Sequence, residues 1–405
     1  MKKYALSSLY DMASGISSTK EQAGHGSPFV SFSTVFNNYF LPDELPDLMD
    51  TSAKEQEIYS IKKGDILITR TSETIDELAM SCVATKDYPS ATYSGFTKRL
   101  RPKTEGIAYY KYMAFYLRSA WFRKTVTNNA FMTLRASFNE DIFSFLNVYL
   151  PDYDVQVRIG DFLYSLEQKI GINKRICTEL ESKAKTLYDY WFTQFDFPDA
   201  NGKPYRTFGG EMVWNDQLKR EIPKGWDVTS VGSVAQNYDS KRIPLSQNER
   251  DTMKGDIPYY GATGVMDYVN RHIFDGHFVL IAEDGSVMNA NGNPIVQMIW
   301  GKTWVNNHAH VLQGCHGYSN ELLYLLLQHI PVVKIMTGSI QKKINQDNLN
   351  SYRIPQIPDS ISQAFYEIVK PMFEQIRSLR TENDELTKLR DWLLPMLMNG
   401  QAAVE

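Results

Sequence analysis

The sequence predicts a mixed α/β protein of the α+β class: two globular halves, each followed by a long helix, the second half repeating the first. Three observations predict it. Short phrases recur in the same order about two hundred residues apart. Thr133-Leu134-Arg135 with Asn139 and Asp141 returns as Ser339-Ile340-Gln341 with Asn345 and Asp347, and Pro151-Asp152 with Glu167-Gln168 returns as Pro358-Asp359 with Glu374-Gln375. Self-similarity at a fixed offset marks a duplicated unit. Next, strand-type runs broken by Gly and Pro fill the stretches before these phrases, and helical spacing fills those after them. Finally, Phe365, Met372, Leu379, Leu386 and Leu393 hold a strict seven-residue register, the mark of a helix seam, for which Leu389 and Met396 are the expected second positions.

Taken in order, residues 1–150 form the first globule. Its opening, Tyr4 to Ala13, is echoed by Trp226 to Ala235, and Tyr93 to Leu100 by Val305 to Leu312. Strand signals lie at Phe29–Phe32, Asp65–Thr69 and Met80–Ala84, and helical periodicity runs from Ile107 to Val126. Residues 151–196 carry the first long helix, with a stripe of Ile159, Leu163, Leu166, Ile170, Asn173, Leu180, Leu187 and Trp191. A Pro/Gly-rich connector occupies 197–221. The second globule, 222–358, has strand signals at Val279–Ala282, Ile295–Ile299 and Ala309–Leu312, and a helix at Asn320 to Ile330. Residues 359–405 carry the second long helix, where Pro371 is expected to kink or restart the first turns. Heptads alone fit a hairpin packed on its own domain or a homodimer zipper. Two equivalent helices in one chain instead favour antiparallel pairing with each other, and Asn173 and Asn383 would fix their register.

Composition excludes several classes. With 43% apolar and 22% charged residues the 405-residue chain can bury sizeable cores, and its net charge of −4 gives no global sign of nucleic-acid binding, so any such role must rest on local basic patches. Cys82, Cys177 and Cys315 stand far apart without C-x-x-C spacing, which favours a reducing compartment. The N-terminus lacks the apolar core of a secretory signal, and no apolar run is long enough for a membrane span. The expected setting is the cytoplasm.

Catalytic constellations are sparse. There is no phosphate-binding Gly-rich loop, no dinucleotide fingerprint, no Asn/Asp-Pro-Pro-Tyr/Phe stretch and no nucleophile elbow. His308 and His310 would place two imidazoles on one strand face without a third ligand at a convincing spacing, so no metal is expected. Pro151-Asp152 with Glu167 and Lys169 formally fits a PD…E-x-K nuclease, whose acids and lysine cluster around Mg²⁺. Here, however, E-x-K lies in a helical stripe, and the second copy reads Glu374-Gln375-Ile376 without the lysine.

Several phrases together resemble the specificity (S) subunits of type I restriction–modification enzymes. They are Ile354-Pro355-Gln356-Ile357-Pro358 with Glu374-Gln375, the terminal "LRDWLLPMLMNG" (Leu389 to Gly400), and Tyr190-Trp191-Phe192 with Phe195-Asp196. "IPYYGATGVMDYV" (Ile257 to Val269), "VLIAEDGS" and "WVNNHAHVL" resemble one class of target-recognition domain, and "FVSFSTVFNNYFLP" with "GDILITRTSETIDELAM" another. The first helix start departs from the pattern, reading "NVYLPDYD". The resemblance covers essentially the whole chain. It implies two target-recognition domains, each reading half of a split, asymmetric double-stranded DNA site. It also implies two spacer helices on which two methyltransferase (M) subunits dock, and restriction/translocase (R) subunits joined through those. It implies no catalysis by this chain, with AdoMet, ATP and Mg²⁺ belonging to the partners. Forty helical residues span about 60 Å, more than one DNA turn of about 34 Å.

Phosphate contacts call for Lys and Arg, and base edges for Arg, amide and hydroxyl groups. The candidates in the first half are Arg70, Thr71 and Ser72 at a strand end, Lys98, Arg99 and Arg101 in the densest basic run, and Arg135 in the repeated phrase. In the second half they are Tyr259, Tyr260 and Thr263 in a Gly-flanked loop, Asn306, Asn307, His308 and His310, and Gln341, Lys342 and Lys343. Each is equally at home as a solvated surface side chain. The competing readings are a self-contained Mg-dependent nuclease or fused restriction enzyme, and a coiled-coil homodimer adaptor without a DNA role.

Overall fold

The computed structural model describes residues 1–72, 78–129, 136–338 and 342–404. The chain divides into two compact units, Met1–Ile172 with Glu382–Glu405, and Asn173–Thr381. Each long helix is thus shared, because its two halves bury their apolar stripes in different cores.

In the first unit, four antiparallel strands lie in the order Tyr10–Ser14, Thr97–Pro102, Ile66–Thr69, Ser81–Val83. Ile66, Leu67 and Ile68 are all fully buried, as a continuous apolar run in a strand covered on both faces should be. A separate three-stranded sheet joins Asp47–Met49, Ala23–Val30 and Thr92–Tyr93. Lys2–Ala5 pairs antiparallel with Asn147–Leu150 and closes the globule.

The second unit repeats this plan. Ala235–Asn237, Ala309–Gly314, Phe274–Ala282 and Val296–Val305 follow one another in one sheet, and the sheet continues through Lys254–Tyr260 and Val265–Val269. Val228–Ser230 pairs antiparallel with Arg353–Pro355 as the closing pair. The copies differ in one strand: the ten residues Val296–Val305 do the work that Ser81–Val83 and Thr92–Tyr93 divide in the first unit. Register supports the equivalence, since Val30 faces Tyr93 in a parallel pair and Tyr260 faces Val305 in another.

Some sequence expectations shift locally. The strand signal at Phe29–Phe32 ends early, because Ser31 caps a helix, Phe32–Asn37, through the Thr34 amide. The periodic stretch Ile107–Val126 is two helices, Tyr110–Tyr116 and Ala120–Asn129, parted where the Ser119 hydroxyl accepts from the Phe122 amide at 3.3 Å. The last helix runs unbroken from Asp359 to Met398 through Pro371, which is exposed and merely withholds the N–H that the Glu367 carbonyl would otherwise accept from.

The helix seam is corrected by one position. Phe365, Met372, Leu379, Leu386 and Leu393 all face inward to some degree. Their companions, however, are Ser362, Val369, Ile376, Asn383 and Leu397, all buried, with Arg390 between the last two. Leu389 is 40% exposed. An apolar-only search slides past Asn383 and Arg390 and stops at Leu389. Within the first unit, Arg390 is ion-paired with Glu167 and lies 5.0 Å over the Tyr39 ring. There too Lys169 pairs with Glu382 at 3.3 Å and the Asn383 amide reaches the Ile170 carbonyl at 3.3 Å. Within the second unit, Arg380 binds Glu181 at 2.5 Å, and Phe365 packs against Trp191 and Phe192. In both units, advancing along Tyr153–Tyr188 means retreating along the last helix, so the pairing is antiparallel. Among the described residues no helix is long and apolar enough to cross a membrane.

Candidate nucleic-acid interface

Each unit builds the same joint from three backbone pieces: the end of a central strand, the turn before its neighbour, and the repeated phrase. In the first unit the Arg70 amide donates to the Phe96 carbonyl at 2.8 Å, and the Phe138 amide donates to the Arg70 carbonyl at 2.7 Å. In the second, the Glu283 amide donates to the His308 carbonyl at 2.8 Å, and the Ile344 amide to the Glu283 carbonyl at 2.8 Å. The turns match as well. Ser94 Oγ accepts from the Phe96 amide at 3.2 Å, and Asn306 Oδ1 accepts from the His308 amide at 2.8 Å, the local side-chain bond that stabilises such turns. Phe138 and Ile344 are fully buried and anchor the phrase. Asn139 then caps the helix Glu140–Phe145 and Asn345 caps Gln346–Ser351, accepting amide bonds of 3.0 and 2.7 Å. The repeated Asn therefore serves as a helix cap.

The side chains on these matched frames differ. In the first unit Arg70 is exposed and Thr71 half-buried, its backbone paired with Ser137. Ser72 pairs with Ala136 through its backbone, and its side chain lies outside the described part, as does Arg135. The basic run does not form an open patch. Lys98 is 6% exposed, with Nζ donating to Ser14 Oγ at 3.0 Å and meeting Glu140 at 3.4 Å. Arg99 is 8% exposed, donates to the Ser60 carbonyl at 2.5 Å and lies 5.5 Å from the Tyr93 ring. Arg101 grips the buried carboxylate of Asp65 with two bonds, 2.9 and 2.6 Å, an interaction that raises its own pKa. The strand lies inside its sheet with both faces covered, so the adjacent Lys98 and Arg99 are enclosed although they point to opposite faces, and the cations meet carbonyls, a hydroxyl and carboxylates.

In the second unit Thr263, Asn307 and His308 are exposed, and His308 Nδ1 lies 2.6 Å from Asp284. Asn306 is buried and holds its turn. Tyr260 is half-buried, and Tyr259 is buried, its hydroxyl accepting from the Leu245 amide at 3.0 Å with Arg250 over its ring. Strand alternation decides this pair, turning one tyrosine into a core and the next away from it. Lys342 is exposed, Lys343 pairs with Glu283 at 2.8 Å, and Gln341 lies outside the described residues.

His310 is buried among Asp239, Glu283 and Arg242. Its Nδ1 is 2.5 Å from Asp239 and 3.5 Å from Glu283, and its Nε2 is 2.8 Å from the Ile344 carbonyl. Arg242 donates to Glu283 at 2.6 Å and to the Ala309 carbonyl at 2.7 Å. Burial by itself would depress the imidazole, but the Asp239 bond and neighbouring carboxylates raise it above its ordinary value. Against the same burial, His310 holds Asp239 down, and Lys343 and Arg242 hold Glu283 down. Asp239, Glu283 and His310 lie close enough to ligate one metal ion. Their donor atoms, however, are already engaged with Arg242, Lys343 and the Ile344 carbonyl, a set that suits a salt-bridge network better than a cation. Two neighbouring imidazoles thus have different surroundings, one open and one enclosed.

Sequence reasoning missed Asp239, Arg242 and Glu283, which are separated by long intervals in the chain, and Phe96, which is 62% exposed beside Arg70. Glu283 was findable: it occupies the position of Arg70 once the two strands are aligned.

The model of the type I restriction modification DNA specificity domain matches two stretches, residues 1–182 and 223–388. The chain belongs to this family. The two stretches of the specificity-domain protein coincide with the two structural repeats. The type I restriction enzyme MjaIX specificity subunit of Methanocaldococcus jannaschii is 25% identical over 379 residues, covering 89% of this chain and 82% of that one. The HindI specificity subunit of Haemophilus influenzae is 23% identical over 455 residues, covering 92% and 94%. A crystal structure of the type I restriction–modification S subunit from M. genitalium superposes with a TM-score of 0.54 at 15% identity, over 98% of this chain and 95% of that one, a likeness of fold.

Proposed function

We propose that this chain is the sequence-reading subunit of a type I restriction–modification complex, each unit reading one half of a bipartite, asymmetric double-stranded DNA target. The observation that carries this reading is the occurrence of two specificity-domain stretches in one chain, each with the same joint of turn, strand end and capped phrase. Arg70, Thr263, Asn307, His308, Lys342 and Lys343 are the exposed sequence candidates, and with the half-buried Thr71 they are the groups proposed to meet DNA. Sequencing the methylome of a host carrying this chain with its methyltransferase tests the proposal. A split motif is expected, and a continuous one would overturn the two-reader reading.

The long helices are proposed to carry two M subunits, with R subunits joining through them. Trp392 at 64% exposure, Leu389 at 40% and Ile368 at 41% are large apolar groups on helices otherwise satisfied by their own seam, and exposed apolar groups of this kind favour protein partners. AdoMet, ATP and Mg²⁺ would act in those partners, in the cytoplasm. Helix length is proposed to set the spacer between half-sites. Matched four-residue insertions after Cys177 and after Ile376, which face each other, add about 6 Å of helix. They should lengthen the spacer by about two base pairs, and an unchanged spacer would sink the ruler.

The nuclease alternative meets a specific observation. Asp152 is exposed beside Lys2, Glu167 pairs with Arg390, and Lys169 pairs with Glu382, so the formal PD…E-x-K residues are each engaged elsewhere. Incubating the chain alone with DNA and Mg²⁺ should give no cleavage.

A further inference from the structure

The surroundings of His310 dictate its protonation. The ring is 2% exposed. Its Nε2 faces the Ile344 carbonyl at 2.8 Å, and a carbonyl oxygen only accepts hydrogen bonds. Its Nδ1 faces Asp239 Oδ2 at 2.5 Å, while Asp239 Oδ1 accepts from the Val311 amide at 2.8 Å. An ionised carboxylate only accepts, and a neutral imidazole has a single N–H. Moving the proton to Asp239 is disfavoured by Arg242, 3.4 Å from the same oxygen. Both ring nitrogens must therefore donate.

The first unit offers an independent check. Lys98 faces Ile68 across its strand pair as His310 faces Ile281. Lys98 is also buried, and it also reaches the phrase side of its joint, at Glu140. One unit places a lysine, beside a carboxylate, where the other places a histidine.

We propose that His310 is a positioning residue, a buried imidazolium that ties the phrase Lys343–Ile344 to the central sheet of the second unit and so fixes where Lys342 is presented. The bonds stand without any assumption about DNA, whereas the consequence for Lys342 rests on the proposed function. The groups around the ring are Asp239 and Arg242 from the turn after Ala235–Asn237, Glu283 from the end of Phe274–Ala282, and Lys343 from the phrase itself. Asp284 and His308 form a separate pair beside them. Because the folded value of His310 is raised, its contribution is complete below the ordinary imidazole value of about 6.5. It is lost as pH rises through the raised value.

Imidazole ¹⁵N spectra of the full chain, with His310 assigned from a His310→Gln variant, test the protonation directly. At pH 7 both ring nitrogens should carry protons, and a neutral His310 ring at pH 7 would overturn the proposal. Hydrogen exchange at fixed pH then reads the tie. His310→Gln should speed exchange of the Ile344 amide by about tenfold, the loss of one charge-assisted bond, and His310→Lys should restore protection. Unchanged exchange in His310→Gln would also overturn it. If the glutamine variant fails to fold, the titration of the unaltered chain still decides. DNA binding by the assembled complex separates the two readings. With protonation and exchange as expected, a second half-site preference that weakens above the His310 value supports both. No DNA binding at any pH would count against the proposed function and leave the tie standing.

Discussion

The joints of the two units share a backbone and differ in how they neutralise charge. In the first, the buried carboxylate of Asp65 pairs with a single guanidinium, that of Arg101, while the Ser60 carbonyl accepts from both Arg99 and Arg101 and Lys98 lies between Ser14 and Glu140. In the second, Arg242, Lys343 and His310 share Glu283 and Asp239. A private pair fails when either member is removed, because a buried charge is stranded. A shared network redistributes. The duplicated frame thus tolerates exchange of its polar filling, the freedom that the proposed reading of two different half-sites would require.

Breaking the private pair should have the largest effect. Asp65→Ala leaves Arg101 without its carboxylate and should destabilise the first unit by about 3 kcal/mol, within the range for broken buried pairs, measured by denaturant melting. Glu283→Gln should cost about 1–2 kcal/mol, because Asp239 remains within reach of Arg242. Equal losses would erase the distinction between private and shared pairing. The caps sharpen the comparison from its conserved side: Asn139→Ala and Asn345→Ala should cost about 1 kcal/mol each, the same in both units. Smaller still are the accessible groups. Lys342→Ala should leave stability unchanged and lower the salt slope of DNA binding by about 1, with little change in base preference. Phe96→Ala should weaken only the half-site read by the first unit, and His308→Ala only the other, in competition assays with half-site variants.

Much of this architecture was readable in the chain. The repeat was visible in Tyr93–Leu100 against Val305–Leu312, and those segments prove to be the same turn and strand. The apolar stripe of Phe365, Met372, Leu379, Leu386 and Leu393 placed the last helix correctly. Its companion positions were misread at Leu389 because Asn383 and Arg390 fill seam positions only when Ile170 and Glu167 on the facing helix supply partners. The basic run Lys98–Arg101 read as a patch for the same reason: charge is written in the sequence, but its neutralisation is not.

The sequence by itself determined what depends on nearby residues and fixed offsets: two copies, strand and helix periodicities, and the phrases that place the chain in its family. Only the tertiary structure decided which polar groups reach water. Asp239, Glu283 and His310 lie far apart in the chain, and packing brings them within hydrogen-bonding distance. Burial then makes an unpartnered charge too costly to keep, so fold geometry selects which candidates hold the joint together and which are left to face a partner.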